Sequence, residues 1–341
     1  MGCPAMWWEG VSRWWQRPRI SGPVVNHAGT GPRLLILSGE KRNQNYCRDL
    51  ALVRAAGGAM VTEAFDYRQT GWDVEAVADR VLEGAKPDLV FVSYHHHFTN
   101  WFRGLDRLRI RKVGFIGDSY DFLGADPARA EKTAWFREAR FDALVSVYPH
   151  TDEMVWEGLG TRSIPILHSA WAVDPEIFRP LGLRRHYDIA SLGAHTAGKY
   201  PFRIAVRHYL EGQREFRYYR RQRVGPHDGP RFARALNRLR ACFTCASVYR
   251  FTVMKYFEIP ACETLLFAET TEALPALGFR DGENFVAVTP GDFREKFSYY
   301  LRDASPDTIT RIARAGRELT LARHTWTIRA GELLAEFRRF L

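Results

Sequence analysis

Short, continuous apolar runs recur along this chain and constrain its architecture more than any other feature. LLIL (34 to 37), LVFVSY (89 to 94), KVGFIGD (112 to 118) and ALVSVY (143 to 148) stand at intervals that leave room for a helix between each pair. Stretches with helical spacing at Asn45 to Ala56 and Trp72 to Gly84 fill some of the gaps. Strands that are apolar throughout, rather than alternating, are buried on both faces, so the pattern predicts a parallel sheet covered by helices on both sides. SIPILHSAW (163 to 171) and the Pro-punctuated stretch to Pro180 close this half. After the polar, basic bridge Leu181 to His186 the pattern restarts at YDIASLG (187 to 193). A helix from Phe202 to Leu210, a strand at Phe216 to Tyr219, a helix from Arg231 to Arg240 and the run VMKYFEIPACETLLF (253 to 267) give a second alternation. Asn284 to Val288 and helices at 290 to 302 and 306 to 319 continue it.

The fold class expected is α/β, with two Rossmann-like parallel-sheet domains facing a cleft. The expected divisions are an appendage at 1–32, a first domain at 33–180, a second at 185–322, and a C-terminal helix at 323–341 that crosses back to the first. Ligands in such sheets bind beyond the carboxyl ends of the strands, which places the chemistry in that cleft. No run of about 18 apolar residues is present to span a bilayer. The net charge of +10 favours anionic partners, but the Arg residues are scattered, so no specific nucleic-acid binding is expected. Five cysteines and no secretion-type apolar core point to a reducing cytoplasm. Trp7, Trp8, Trp14 and Trp15, with Arg13, Arg17 and Arg19 close by, fall on one face of a helix. They suit docking at the inner membrane surface; packing against the protein's own domain or a partner subunit, and an over-long gene start, are the other readings.

GAHTAGK, Gly193 to Lys199, matches G-x-x-x-x-G-K, but Tyr200 stands where a P-loop needs the Ser or Thr that holds Mg²⁺. The alternative is a Gly-rich turn that meets a diphosphate, aided by Lys199 or Arg203. Cys242 and Cys245 form a lone C-x-x-C and read as small core residues. His95, His96 and His97 end a strand, and since adjacent strand residues alternate in direction, the three do not converge on one metal. One of them suits a cleft-facing role. The chain has no Asp-x-Asp, no Gly-x-Ser-x-Gly and no Gly-x-Gly-x-x-Gly, which disfavours metal-held diphosphates, hydrolase elbows and dehydrogenase fingerprints.

Met254-Lys255-Tyr256-Phe257-Glu258-Ile259-Pro260-Ala261-Cys262, then Asp281-Gly282-Glu283-Asn284, Tyr299-Tyr300-Leu301 and His324-Thr325 with Arg329, occur in an order that resembles one known family. That family is the two-Rossmann-domain (GT-B) glycosyltransferases of the group 1 type, in particular the spore-maturation CgeB-like branch. The likeness covers about residues 185 to 330 and, in layout only, the first half. It implies transfer of a sugar from a nucleoside-diphosphate donor, with no cofactor and no bound metal. Glu258 would hold the ribose hydroxyls, and Lys255, Lys199 and Arg203 would face the diphosphate beside Gly193. Glu263 and Thr264 join this donor group. Asp118, His95 or His97 would face the acceptor as base or orienting group. Lys255 stands where the family has Arg, Glu263 where it has Gly, and Arg250 where the wider group has a second Glu, so inversion or retention is not carried over. A P-loop-like phosphotransferase or NTPase, and a degenerate carbohydrate-binding protein, are the alternatives.

Overall fold

The computed structural model describes residues 24–26, 28, 31–38, 44–62, 73–93, 102–123, 127–220 and 229–341. His95, His97 and the four tryptophans of the N-terminal segment lie outside them. Among the described residues no helix is long and apolar enough to cross a membrane.

The first half is built on a seven-stranded sheet in the order β1-β3-β2-β4-β5-β6-β7. Its strands are β1 (Val24–Asn26), β2 (Leu34–Ser38), β3 (Gly58–Thr62), β4 (Leu89–Val92), β5 (Arg111–Phe115), β6 (Ala143–Ser146) and β7 (Ile166–His168). Every pairing is parallel except β1 with β3. Helices α1 (Gln44–Ala56), α2 (Val74–Val81), α3 (Pro127–Ala139) and α4 (Asp152–Leu159) make the crossovers. β2 and β4 are buried along their whole length, as continuous apolar runs require.

Two strands differ from the sequence expectation. Val24–Asn26, assigned above to the appendage, is the antiparallel edge strand of this sheet. Gly57-Gly58 directly follows α1, and Gly58 opens β3, a strand the apolar runs did not announce. Gly58 has φ +95°, and a Cβ there would lie 2.0 Å from the Leu34 carbonyl oxygen, so only glycine lets β3 approach β2.

The second half carries a parallel four-stranded sheet, β11-β10-β9-β8, from β8 (Tyr187–Ser191), β9 (Leu239–Thr244), β10 (Leu265–Ala268) and β11 (Val286–Ala287). Around it lie α5 (Pro201–Gly212), α6 (Gly229–Leu236), α7 (Lys255–Ala261), α8 (Phe293–Ser298) and α9 (Pro306–Arg323). The strand expected at Phe216 to Tyr219 is reduced to one bridge between Tyr218 and Ile189. Next to it, the Arg217 backbone and guanidinium both bond Asp188, and the N–H groups of Asp188 and Tyr219 donate to the Arg217 and Ile189 carbonyls, so the segment lies along β8 without extending into a full strand.

α10 (Trp326–Phe340) returns to pack on α1, with Phe337 against Phe91 at 5.7 Å. One apolar core runs from Leu34, Phe91 and Phe115 through Trp171 and Trp326 to Phe257 and Ile259. At the crossing, Val173 and Thr325 form a parallel bridge, and His324 is fully buried beside it. The His324 ring lies between Phe257 and Phe279. Nε2 donates to the Leu277 carbonyl at 2.8 Å and Nδ1 accepts from Arg329 at 2.6 Å, which defines the neutral tautomer. Burial, then the Arg329 charge, lowers its pKa to about 4. The unfolded chain takes up this proton near pH 6.5 and the folded one only near 4. The stability contribution is therefore complete above 6.5 and is lost as pH falls to 4. Urea unfolding is expected to show a loss of about 3 kcal/mol across that window from this group, and a flatter profile for His324→Gln.

In the first half, Ser38 and Ser93 mark the ends of β2 and β4, where the strand order changes direction, and a buried network joins them. Ser38 donates to Asp49 at 2.6 Å, Arg48 Nε donates to Asp49 at 3.0 Å, and Arg48 Nη2 donates to Ser93. The Arg48 guanidinium lies 3.9 Å from the Phe115 ring centroid.

Candidate functional site

The carboxyl ends of β8, β9 and β10 face the first half, and the second-half groups gather there. β8 runs into Gly193 at φ +121°. A Cβ on Gly193 would meet Lys255 Cε at 2.8 Å, Arg203 Nη1 at 3.1 Å and Lys255 Nζ at 3.3 Å. The glycine thus admits two cations to one point.

Arg203, from the first turn of α5, is 1% exposed and stacks on Tyr200 at 4.1 Å. Nη1 donates to the Ala194 carbonyl at 2.8 Å, while Nε is buried without a partner. Ser191 Oγ, at the end of β8, is likewise buried and unpartnered. Lys255 opens α7 and is partly exposed along its length. Desolvation, the largest influence, lowers its pKa; Glu258 opposes this and Arg203 adds to it. Glu258, one turn into α7, is 5% exposed, and burial raises its pKa to about 7 against the pull of Lys255. Gly193, Arg203, Lys255 and Glu258 therefore form one cluster in which positive charge is concentrated and poorly solvated.

Glu263 and Thr264, grouped with these residues in the sequence expectation, stand apart from the cluster. They follow the far end of α7 and precede β10, at the amino-terminal edge of the sheet. Arg185 pins them there. Its Nη2 donates to the carbonyls of Cys262 at 3.1 Å and Glu263 at 2.7 Å, and its Nη1 donates to Thr264 Oγ1 at 2.9 Å and to the Leu239 carbonyl. Glu263 has φ +53°, the left-handed conformation that ends the helix turn. The position therefore carries a backbone conformation that glycine adopts most readily.

Lys199 also departs from expectation. The GAHTAGK segment closes a turn, with the N–H groups of Lys199 and Tyr200 donating to the Thr196 carbonyl, before α5 opens at Pro201. Lys199 Nζ lies 3.7 Å from the Tyr120 ring centroid on the first half, not with Lys255 and Arg203.

Asp118 follows β5 and precedes a 3-10 turn at Ser119–Phe122, which its side chain does not cap. Burial is the main cause raising its pKa, followed by Asp121; the Tyr120 hydroxyl, Lys132 and Lys199 oppose. Asp118 thus sits on the first-half wall of the cleft.

Sequence reasoning missed the aromatic contacts that join the halves. Tyr120 stacks on Tyr249 with centroids 5.0 Å apart, and Tyr148 on Phe251 at 3.8 Å and 2°. His150 Nε2 bonds the Tyr249 carbonyl at 2.9 Å. Tyr249 and Phe251, an aromatic pair flanking Arg250 in YRF, were the available signal. Arg250 between them has φ +60° and donates to Glu269 Oε1 at 2.7 Å and to the Thr270 carbonyl.

Two sheets, parallel but for the β1 edge strand, facing a cleft, with the C-terminal helix returned to the first, define the GT-B fold. Solved structures agree. The chain is similar to sucrose-phosphate synthase from Thermosynechococcus elongatus (13% identity, 90% of this chain and 99% of that one, TM-score 0.58). It is also similar to Anabaena HepE in complex with UDP and glucose (12% identity, 91% and 100%, TM-score 0.57). A third is a glycosyltransferase from Rickettsia africae (8% identity, 90% and 98%, TM-score 0.55). Residues 174–335 match the family described as glycosyl transferase-like. No curated protein matches the chain in sequence.

Proposed function

We propose that this protein is a glycosyltransferase that takes a sugar from a nucleoside-diphosphate donor, without a bound metal, in the manner of the CgeB-like branch. The observation that carries this reading is the pair of poorly solvated cations, Lys255 and Arg203, brought together by Gly193 at the end of β8. In the proposed reaction an acceptor hydroxyl oxygen bonds to the anomeric carbon and the bond from that carbon to the diphosphate oxygen breaks. The diphosphate leaves with the bonding electrons, and the acceptor proton passes to a base. Lys255 and the Gly193 turn meet the leaving group, where charge develops. Glu258 accepts from the ribose hydroxyls. Asp118, on the opposite wall, is the proton acceptor of this scheme. The UDP-bound structures of HepE support the donor class.

The test is thermal unfolding with UDP, GDP, dTDP, ADP and ATP, each in EDTA and in Mg²⁺. A diphosphate at a hundred times its Kd is expected to add about 2.7 kcal/mol in EDTA, and Glu258→Ala to remove the effect. Stabilisation by Mg·ATP alone, or by no nucleotide, would sink the reading.

A further inference from the structure

We propose that Arg203 is a positioning residue that ties the Gly193 turn to the end of β9 and so sets the backbone facing the donor diphosphate, without itself touching the ligand. The proposal rests on the reading of this cluster as a donor site.

β8 and β9 pair in parallel as far as Ser191 and Phe243, and there the ladder stops. The chain beyond β8 turns at Gly193, and Ala194, Thr196, Ala197 and Gly198 are exposed. The later part of the turn is fastened by backbone bonds: the N–H groups of Lys199 and Tyr200 donate to the Thr196 carbonyl, and the Val248 N–H donates to the Lys199 carbonyl. The earlier part is fastened by Arg203. Nη1 donates to the Ala194 carbonyl at 2.8 Å, and Nη2 donates to Thr244 Oγ1 and to the Cys245 carbonyl, each at 3.4 Å. One guanidinium thereby continues the connection between the two strands past the point where their own hydrogen bonds end. Its central carbon lies 4.1 Å from the Tyr200 ring centroid, so the residue that stands where a P-loop has its Ser or Thr is the platform under this bridge.

Two observations separate Arg203 from a direct ligand of phosphate. An arginine that grips phosphate presents two arms of its planar fork to the anion. Here both Nη arms are turned to protein acceptors. The residue is also 1% exposed, whereas Lys255 at the same turn is partly exposed. A Cβ at Gly193 would lie 3.1 Å from Arg203 Nη1 and 2.8 Å from Lys255 Cε, so the two cations reach the turn together. Arg203 holds the turn, and Lys255 is left to meet the anion. The bridge needs donors set at a fixed angle on one rigid group, which a guanidinium has and an ammonium lacks. Lysine in place of Arg203 keeps the charge and loses the bridge.

The experiment is amide hydrogen exchange on the full-length protein without nucleotide, for wild type, Arg203→Lys and Arg203→Met. The amides of residues 193–196 are expected to exchange about 10-fold faster or more in both variants, with those of β8 and β9 little changed. Calorimetric titration of the same proteins with UDP and with uridine supplies a readout that a purely structural role would not move. UDP is expected to bind about 10-fold more weakly to both variants and uridine nearly as to wild type, with no rescue by lysine. Should Arg203→Met fold poorly, Arg203→Lys carries both measurements. Unchanged exchange at 193–196 overturns the proposal. So does an unaltered ratio of UDP to uridine affinity, which would make the bridge a matter of the fold alone, or a recovery of UDP binding in Arg203→Lys, which would make charge at the ligand the cause. A wild-type protein that binds no UDP overturns the donor reading and the ligand half of this proposal, whereas the exchange result is obtained without nucleotide and tests the bridge independently.

Discussion

Lys255→Met is expected to weaken nucleoside-diphosphate binding by about 100-fold or more while leaving the protein at least as stable as wild type. The two effects have one cause. Desolvation already works against the Lys255 ammonium, whose pKa is lowered, and Arg203 repels it. A cation kept under those conditions gains from an anion that enters the pocket. Methionine has similar length and no charge to desolvate. Glu258 loses its favourable partner, but its pKa of about 7 lets it become protonated rather than remain a buried unpaired charge. Calorimetric titration with UDP and urea unfolding of the same samples check both halves of the expectation. Loss of binding together with a large loss of stability would mean that Lys255 serves the fold.

Arg48→Met is expected to have the opposite profile, with a loss of about 3–5 kcal/mol of stability, because removing one partner leaves a buried charge uncompensated. Arg48 is 1% and Asp49 0% exposed. Asp49 would retain only hydroxyl donors such as Ser38. Asp49 has its pKa raised chiefly by burial, and the Arg48 charge is the largest influence holding it down. The double variant Arg48→Met, Asp49→Asn removes both charges and is expected to recover much of the loss. Urea unfolding of the three proteins measures this, and equal stability of the single and double variants would contradict it.

The layout of both sheets was legible because a strand buried on both faces has to be apolar throughout, and LLIL, LVFV and ALVS could hardly be anything else. β1 and β3 were hidden for different reasons. Three residues carry no periodicity, and Gly57-Gly58 reads as punctuation even though Gly58 lies within a strand. In the site, Lys255 and Glu258 were legible because residues three apart share a helix face. Glu263 and Thr264, grouped with them on the family resemblance, lie beyond the far end of the helix, held by Arg185. A seven-residue helix is about 10 Å long, so neighbours in sequence stand at opposite edges of a sheet. The Tyr120, Tyr249 and Lys199 contacts could not be read at all, since they depend on how two separately built halves come to face each other.

The proposed donor diphosphate site lies at the end of β8 between Lys255 and the Gly193 turn. A crystal structure with UDP bound tests this most directly. The diphosphate is expected within hydrogen-bond distance of Lys255 Nζ at the Gly193 turn, with the ribose hydroxyls on Glu258. UDP seated instead against Glu263, Thr264 and Arg185 at the opposite edge of the sheet, or in the first half, would contradict it.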